Sequence, residues 1–424
     1  MKDFNMYNRT ADLLEQDIIS AYKMDESTCV AKLLDTIWHN EKTTEKANNL
    51  ATTLINHVRT SRLNGSGVDV LLQEFKLSTI EGVALMCLAE SLLRIPDSYT
   101  QKKLIKDKLL NASWYDYTKT DNLFVNAVSW GLLISNTLIN KNEVLQSDTM
   151  LVKLSKALCA VINRLGEPVI LAAIKTAVKF MGNQFVMSEK IDTAISKAQN
   201  TPQFRYSYDM LGEAAMTDED AMNYMANYIE AIHKVGMASK NQGVYKADGI
   251  SVKLSAIHCR YTRLQEDKVM AELYPRLKQL FILAKQYQIS LFIDAEESNR
   301  LMLSLKLFTK LLEDVDLQGF NGFGFVVQAY QKRALPVIQY LLYLANTHTS
   351  RIMVRLVKGA YWDSEIKKAQ LEGDTNYSVF TRKYHTDLSY LACAQVLLSY
   401  PDSIYPLFAT HNVHTLTQDR KSVV

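Results

Sequence analysis

The sequence predicts an α/β protein: helical N-terminal domains followed by β-α units of a (β/α)8 TIM-type barrel. Two observations predict it. Near residue 204 the texture changes from long amphipathic patterns to short apolar runs alternating with helical ones, the signature of a parallel sheet. Each short run then delivers a polar group at its C-terminal end, where barrels of this class build their active sites.

The expected domains are a helical arm over 1–63, a helical linker domain over 64–199 and the barrel over 200–424. In the arm, Leu13, Ile18, Tyr22, Leu33 and Ile37 fall at helical spacing. The polar stretch Arg62-Leu-Asn-Gly-Ser-Gly67 reads as the break after it. Helical patterns follow over 70–75, 81–95, 104–110, 151–165 and 169–180, and the second is apolar nearly all round, as in a helix buried among others. Pro96 ends it. His39 and His57 are isolated, and the lysine-rich 102–108 reads as a solvated helix face.

In the barrel, strands are expected over 206–211, 250–254, 290–293, 323–327, 352–357 and 406–408. The helices between them are expected over 221–235, 269–287, 301–312, 335–344 and 388–398. The strand ends carry, in order, Glu213, Lys253, Asp294 with Glu296 and Glu297, Gln328, Arg355 with Lys358, and Thr410-His-Asn412. The run Arg351-Ile-Met-Val-Arg-Leu-Val-Lys-Gly-Ala-Tyr-Trp-Asp363 is the most telling. An arginine inside a buried strand is costly without a counter-charge, so Arg355 must face an anion or an electron-rich ligand. A structural ion pair explains one such residue, and Lys253 with Asp294 could be another. Six polar strand ends together point to a pocket.

Composition limits what the pocket serves. A formal net charge of +3 gives no argument for nucleic acid or an anionic membrane. Five scattered cysteines without a C-x-x-C suit reduced thiols in a cytosol. No apolar run approaches the ~20 residues of a membrane helix. Asp294, Glu296, Glu297 and His411 could form a divalent-metal site, but Lys253 and Arg355 compete for those carboxylates. The cations suit an anionic substrate or a redox cofactor better, and Tyr361 and Trp362 could stack on a flat ring. Without a G-x-G-x-x-G, a flavin would lie in the barrel mouth.

The chain resembles the proline dehydrogenase half of proline utilization A. The resemblance rests on Tyr208-Asp-Met-Leu-Gly-Glu-Ala-Ala215, Ile250-Ser-Val-Lys-Leu-Ser255, Ile293-Asp-Ala-Glu-Glu-Ser298, Gly324-Phe-Val-Val-Gln-Ala-Tyr-Gln-Lys-Arg333, Arg355-Leu-Val-Lys-Gly-Ala-Tyr-Trp-Asp-Ser-Glu-Ile366 and Phe408-Ala-Thr-His-Asn412. It implies FAD as cofactor and L-proline as substrate, oxidised to Δ1-pyrroline-5-carboxylate by hydride transfer from C5 to flavin N5. By match to the family's motifs, Lys253, Asp294, Arg355 and Tyr361 are the catalytic group. Lys253 neutralises the proline carboxylate, Asp294 orients Lys253 or the amine, and Tyr361 lines the pocket. Val327, Gln328, Arg355, Lys358, Gly359, Ala360, Trp362, Thr410, His411 and Asn412 bind the cofactor.

The family also implies a quinone acceptor met peripherally at the inner membrane; a cytoplasmic location and a homo-oligomer are expected, with no metal, and no nucleic acid either, because the basic strand-helix-helix pattern with which some members begin is not seen before the match. Two departures are expected. The chain departs from the family after Leu416, so about six of eight strands are present, without the final helix that clamps proline. The second half of the bifunctional family is absent. A barrel of six strands leaves open edges. The alternatives to the dehydrogenase are therefore a catalytically inactive scaffold or, more remotely, a metal-dependent barrel enzyme.

Overall fold

The structure, a computed structural model, describes residues 9–37, 41–63, 99–100, 186–211 and 214–422. The helical patterns expected over 70–75, 81–95, 104–110, 151–165 and 169–180 lie outside the described residues, as do the 102–108 stretch, His39 and Glu213. The chain divides into two compact units, Met1–Ile55 with Ile195–Val424, and Asn56–Ala194. The described part of the second unit is helical or short connecting chain.

The first unit begins with α1 (Ala11–Ser20) and α2 (Glu26–Thr36), each with a side-chain N-cap. Thr10 accepts from the Leu13 amide and Asp25 from that of Thr28, satisfying otherwise orphaned donors. Each helix buries an i, i+4 pair: Leu14 and Ile18, then Cys29 and Leu33. Leu13, expected on the buried face, is instead 53% exposed, and Leu14 takes its place. Next come α3 (Glu41–Leu63) and α4 (Ile191–Gln199), which run across the unit boundaries.

The barrel region then alternates strand and helix. Its strands are β1 (Ser207–Tyr208), β2 (Gly249–Val252), β3 (Leu291–Ile293), β4 (Phe323–Gln328), β5 (Ile352–Val357) and β6 (Ile404–Phe408). Its helices are α5 (Asp218–Ser239), α6 (Leu254–Ile257), α7 (Glu266–Tyr287), α8 (Leu301–Glu313), α9 (Ala334–Thr347), α10 (Trp362–Glu372), α11 (Lys383–Ser399) and α12 (Val413–Ser422). Among the described residues, the six strands pair in sequence order and all these pairs are parallel. Parallel neighbours in sequence order, joined by the right-handed crossovers that are general for such units, place the helices on one face and leave the other concave.

The curl is visible at the N-terminal ends of the strands. In a flat sheet, β2 and β6 would stand four spacings apart, about 19 Å. Instead Tyr245, just before β2, meets Tyr405 of β6 with ring centroids 5.1 Å apart. The Arg351 guanidinium sits 5.2 and 5.1 Å from those two rings. Six strands thus curl into a half-barrel whose two sides touch through one cation and two aromatics.

Several element bounds differ from those the sequence predicts. The first strand shrinks from 206–211 to two residues, because Asp209 leaves the ladder to meet Lys253. The second ends at Val252, and Lys253 becomes the N-cap position of α6. The sixth starts two residues earlier than expected and holds Pro406 in its middle. It pairs only with β5 among the described strands, so the missing N–H falls on an edge. Helix α10 has no counterpart among the expected helices: only Glu365 and Ala369 are buried on it, so it has no apolar stripe.

Candidate active site

Four charged groups converge at the C-terminal ends of β1, β2, β3 and β5. Lys253 Nζ donates to Asp209 Oδ1 and Oδ2 at 3.0 and 3.1 Å, and to Asp294 Oδ2 at 3.2 Å. Arg355 Nη2 donates to the other oxygen of Asp294 at 2.7 Å and to Ser251 Oγ at 2.5 Å. Asp294 therefore bridges both cations, one per oxygen, and two carboxylates balance two cations. Beneath them, the Arg355 guanidinium lies 5.0 Å from the centre of the Phe292 ring. Gly324 makes room for that ring, since a Cβ there would stand 2.4 Å from it.

Burial pushes the Asp294 carboxyl above the ordinary aspartate range, outweighing the attraction of Arg355 and Lys253; Asp209 pushes the same way. Between the unfolded value and this raised one, the folded state holds more protons. Stability from this group therefore falls as pH rises through that window, and the full cost stands above it. Asp294→Asn is expected to remove the slope: in parallel thermal melts from pH 7 down toward the aspartate range, the parent should gain on the variant. A difference independent of pH would show that Asp294 titrates as it does in the unfolded chain.

A belt of hydrogen bonds crosses the same strand ends. The Ala215 amide donates to the Ser255 carbonyl at 3.1 Å, and the Ser255 amide to Glu296 Oε1 at 3.0 Å. Gln328 Nε2 donates to the Glu296 carbonyl at 2.9 Å, and the Ala360 amide to Gln328 Oε1 at 3.2 Å. Loops after five consecutive strands are tied in turn. Gln328 acts as an amide bridge, donor on one side and acceptor on the other, which a charged residue could not do. Glu296 is buried and its other oxygen pairs with Arg300 at 2.5 Å. Tyr361 follows Ala360; burial, then Glu296 and Glu297, push its hydroxyl up to about 12, so it stays a neutral donor.

The remaining expected cofactor residues form a second group. Lys358 Nζ pairs with Asp387 and donates to Thr415 Oγ1 at 3.2 Å. Asn412 Oδ1 accepts from the Thr415 amide at 3.0 Å, capping α12, and the Asn412 amide donates to Thr410 Oγ1 at 3.0 Å. His411 is exposed. Trp362 donates from Nε1 to the Phe380 carbonyl at 2.9 Å while 42% of its surface stays exposed. Val327 is buried within β4, and Gly359 has φ +140°. The structure thus joins Lys253, Asp294 and Arg355 directly, and joins Lys358 to Thr410 and Asn412 through Thr415. Sequence reasoning missed Asp209, Ser251 and Asp387. Asp209 sat inside a strand expected to run to residue 211, which hid a carboxylate at a strand end.

A half-barrel with a charged cluster at its C-terminal strand ends belongs to the (β/α)-barrel enzymes. Comparison with known proteins narrows this. The family model "Proline dehydrogenase" matches residues 192–421, more than half of the chain. Residues 14–59 match "Proline utilization A proline dehydrogenase N-terminal domain" and residues 67–185 match "DNA-binding domain of Proline dehydrogenase". The chain belongs to the proline dehydrogenase family, as its proline utilization A type.

It is 51% identical over 407 residues to the bifunctional protein PutA of Escherichia coli K12, covering 94% of this chain and 30% of that protein. To the Rhizobium meliloti protein of the same name it is 44% identical over 416 residues, covering 98% and 33%. A solved structure of a Bradyrhizobium japonicum proline utilization A mutant matches with TM-score 0.68 and 41% identity, over 95% of this chain and 40% of that one. The chain thus spans about a third of the length of the curated relatives it matches. The family match runs to residue 421, which corrects the expectation that the chain leaves the family after Leu416. The 67–185 match names a DNA-binding domain, where a small net charge and the lack of a basic strand-helix-helix pattern lead to the expectation of no nucleic-acid partner.

Proposed function

We propose that this chain carries the flavin-dependent oxidation of L-proline to Δ1-pyrroline-5-carboxylate, with FAD as cofactor. The observation that carries this reading is Arg355, held on the concave face of β5 by Asp294 and Ser251 within the stretch that matches the proline dehydrogenase family. The residues fit a flavin. Arg355 Nε is buried without a hydrogen-bond partner among the described residues, so the guanidinium keeps a donor for an acceptor atom of a ring. Gly359 takes a φ that side chains avoid and leaves room for the Tyr330 ring, which sets the turn of the loop after β5.

When bound, the flavin supplies the two-electron acceptor for the hydride leaving proline C5. Arg355 and Lys358 would hold its electron-rich ring and chain. Val327, Gln328, Gly359, Ala360, Trp362, Thr410, His411 and Asn412 would hold the rest. Lys253 binds the proline carboxylate, and its two carboxylate partners fix Nζ in place. Asp294 orients Lys253 and faces the substrate amine. Tyr361, a neutral phenol at any physiological pH, lines the pocket and excludes water.

The same reading includes a quinone that reoxidises the flavin at a membrane surface, a cytoplasmic location, a homo-oligomer, and domains at 1–63, 64–199 and 200–424. Among the described residues, no helix is long and apolar enough to cross a membrane. The test is a visible spectrum of the purified chain with FAD, before and after anaerobic L-proline. A protein-bound flavin band that bleaches on proline is expected. A chain that retains no flavin through gel filtration, or a bound band that proline leaves unchanged, would overturn the reading.

A further inference from the structure

Glu365 lies on α10, one turn beyond Tyr361, whose carbonyl accepts its amide at 2.9 Å. The residue is 6% exposed. Oε1 accepts from the Ser298 amide at 2.6 Å and Oε2 from Ser298 Oγ at 2.6 Å. Oε2 also accepts from Ser378 Oγ at 3.1 Å. A buried carboxylate is costly, and neutral donors on both of its oxygens offset the cost. Ser298 and Ser378 are themselves buried.

These contacts link segments distant in sequence. Ser298 ends the loop that begins at Asp294. At its start, the Asp294 amide donates to the Val252 carbonyl at 2.9 Å. In its middle, the Glu296 carbonyl accepts from Gln328. At its end, Ser298 is gripped at both backbone atoms: its amide by Glu365 and its carbonyl by Arg333 Nη2. Gln328 and Glu365 are therefore two cross-ties between the same two loops, the one after β3 and the one after β5. With two ties, the loops cannot pivot about either one.

We infer that Glu365 is a positioning residue, which locks the loop carrying Asp294 to the loop carrying Gly359 through Trp362, so that the carboxylate and Tyr361 keep a fixed separation. Without it, Asp294 keeps its cations and the Ser298 carbonyl keeps Arg333, but the loop after β3 stays tied to the loop after β5 through Gln328 alone. The loss then reaches Ser255, held by Glu296, and Ala360, held by Gln328. The reactive geometry this serves rests on the proposed dehydrogenase reading; the mechanical link does not.

The test uses the full chain without added cofactor. Glu365→Gln is near-isosteric but removes the charge: the bond from the Ser298 amide weakens from charge-assisted to neutral, and the NH2 meets the Ser298 and Ser378 hydroxyls as a donor where the carboxylate accepted from both. Amide hydrogen exchange is expected to accelerate at least tenfold at Ser298 and also at Ser255 and Ala360, while amides inside β4 and β5 keep their rates. Acceleration confined to Ser298, or none, would overturn the inference. Should the glutamine variant fail to fold, Ser298→Ala removes one donor and keeps the amide; it is expected to give the same three-site pattern at lower amplitude, and unchanged rates at Ser255 and Ala360 would again overturn it.

The second readout is kinetic. With FAD and L-proline, kcat of the glutamine variant is expected to fall about tenfold with KM within twofold, and Glu365→Asp is expected to recover part of kcat. An unchanged kcat would overturn the positioning role. If the parent chain itself does not oxidise proline, the proposed function fails alone, and the exchange pattern still decides whether the two loops are locked.

Discussion

Replacing Arg355 with methionine is expected to abolish the bleaching of bound flavin by L-proline, with a fall in rate of about three orders of magnitude. Methionine keeps the aliphatic bulk over the Phe292 ring and removes the charge and all five donors. Two of those donations fix the site: Nη2 to Asp294 Oδ1 and Nη2 to Ser251 Oγ. The guanidinium is thus pre-oriented, and the reorganisation that a free cation would need is already complete. Such preorganised charge, aimed where negative charge develops, is where enzymes gain most of their rate.

Stability should fall much less. Asp294 retains Lys253 at 3.2 Å, and burial already pushes its carboxyl toward the neutral form, so it can take a proton instead of standing unpaired. A loss of about 2 kcal/mol in urea denaturation is expected, below the range typical of stranding a buried charge. Arg355→Lys should fall between parent and methionine, because an ammonium cannot reproduce the planar fork. Anaerobic stopped-flow at the flavin band measures the rate, and a methionine variant within tenfold of the parent would remove Arg355 from the reaction.

Arg355 also shows how far the sequence alone could be read. Its position in a β-branched run required an anion nearby, and the structure supplies Asp294 from two strands away. The fifth strand runs over 352–357 as the pattern indicates, because an apolar run ending in Lys358-Gly359 leaves no other choice of period. Helix α10 escaped for the opposite reason. Its buried residues are Glu365 and Ala369, and a carboxylate serving as an internal acceptor reads as a solvated face.

The contacts of the arm have no local signature either. The Lys332 ammonium donates to the Met24 carbonyl at 2.7 Å, and Glu26 accepts from the Thr381 amide at 3.1 Å and pairs with His385 at 2.5 Å. They join residues more than 300 positions apart, so spacing along the chain carries no trace of them. The motifs located the strand ends to within a few residues; which carboxylate met which cation depended on β1 ending at Tyr208 and β2 at Val252, three and two residues before the expected ends, shifts that pattern reading does not resolve.

Gly359→Ala is expected to destabilise the chain by about 3 kcal/mol and to weaken flavin retention together with it. Two costs add. At φ +140° an L side chain is strained whatever space surrounds it. A Cβ there would also stand 2.4 Å from the Tyr330 ring. That ring cannot retreat: the Tyr330 amide donates to the Lys358 carbonyl at 2.7 Å, its carbonyl accepts from the Phe380 amide at 2.8 Å, and the residue is 3% exposed. The backbone on the other side is held as well, since the Ala360 amide is tied to Gln328. Either neighbour must break a hydrogen bond to give way, and both bonds belong to the loop proposed to hold the cofactor. A double-mutant cycle separates the two costs. Gly359→Ala in a Tyr330→Ala background removes the collision and leaves the dihedral strain, so the alanine should cost clearly less there than in the parent. Urea midpoints of the four chains, with fluorescence titration by FAD, measure both effects. Equal costs in the two backgrounds would mean that the backbone conformation alone requires glycine, and an alanine chain as stable as the parent would show that the loop has another conformation open to it.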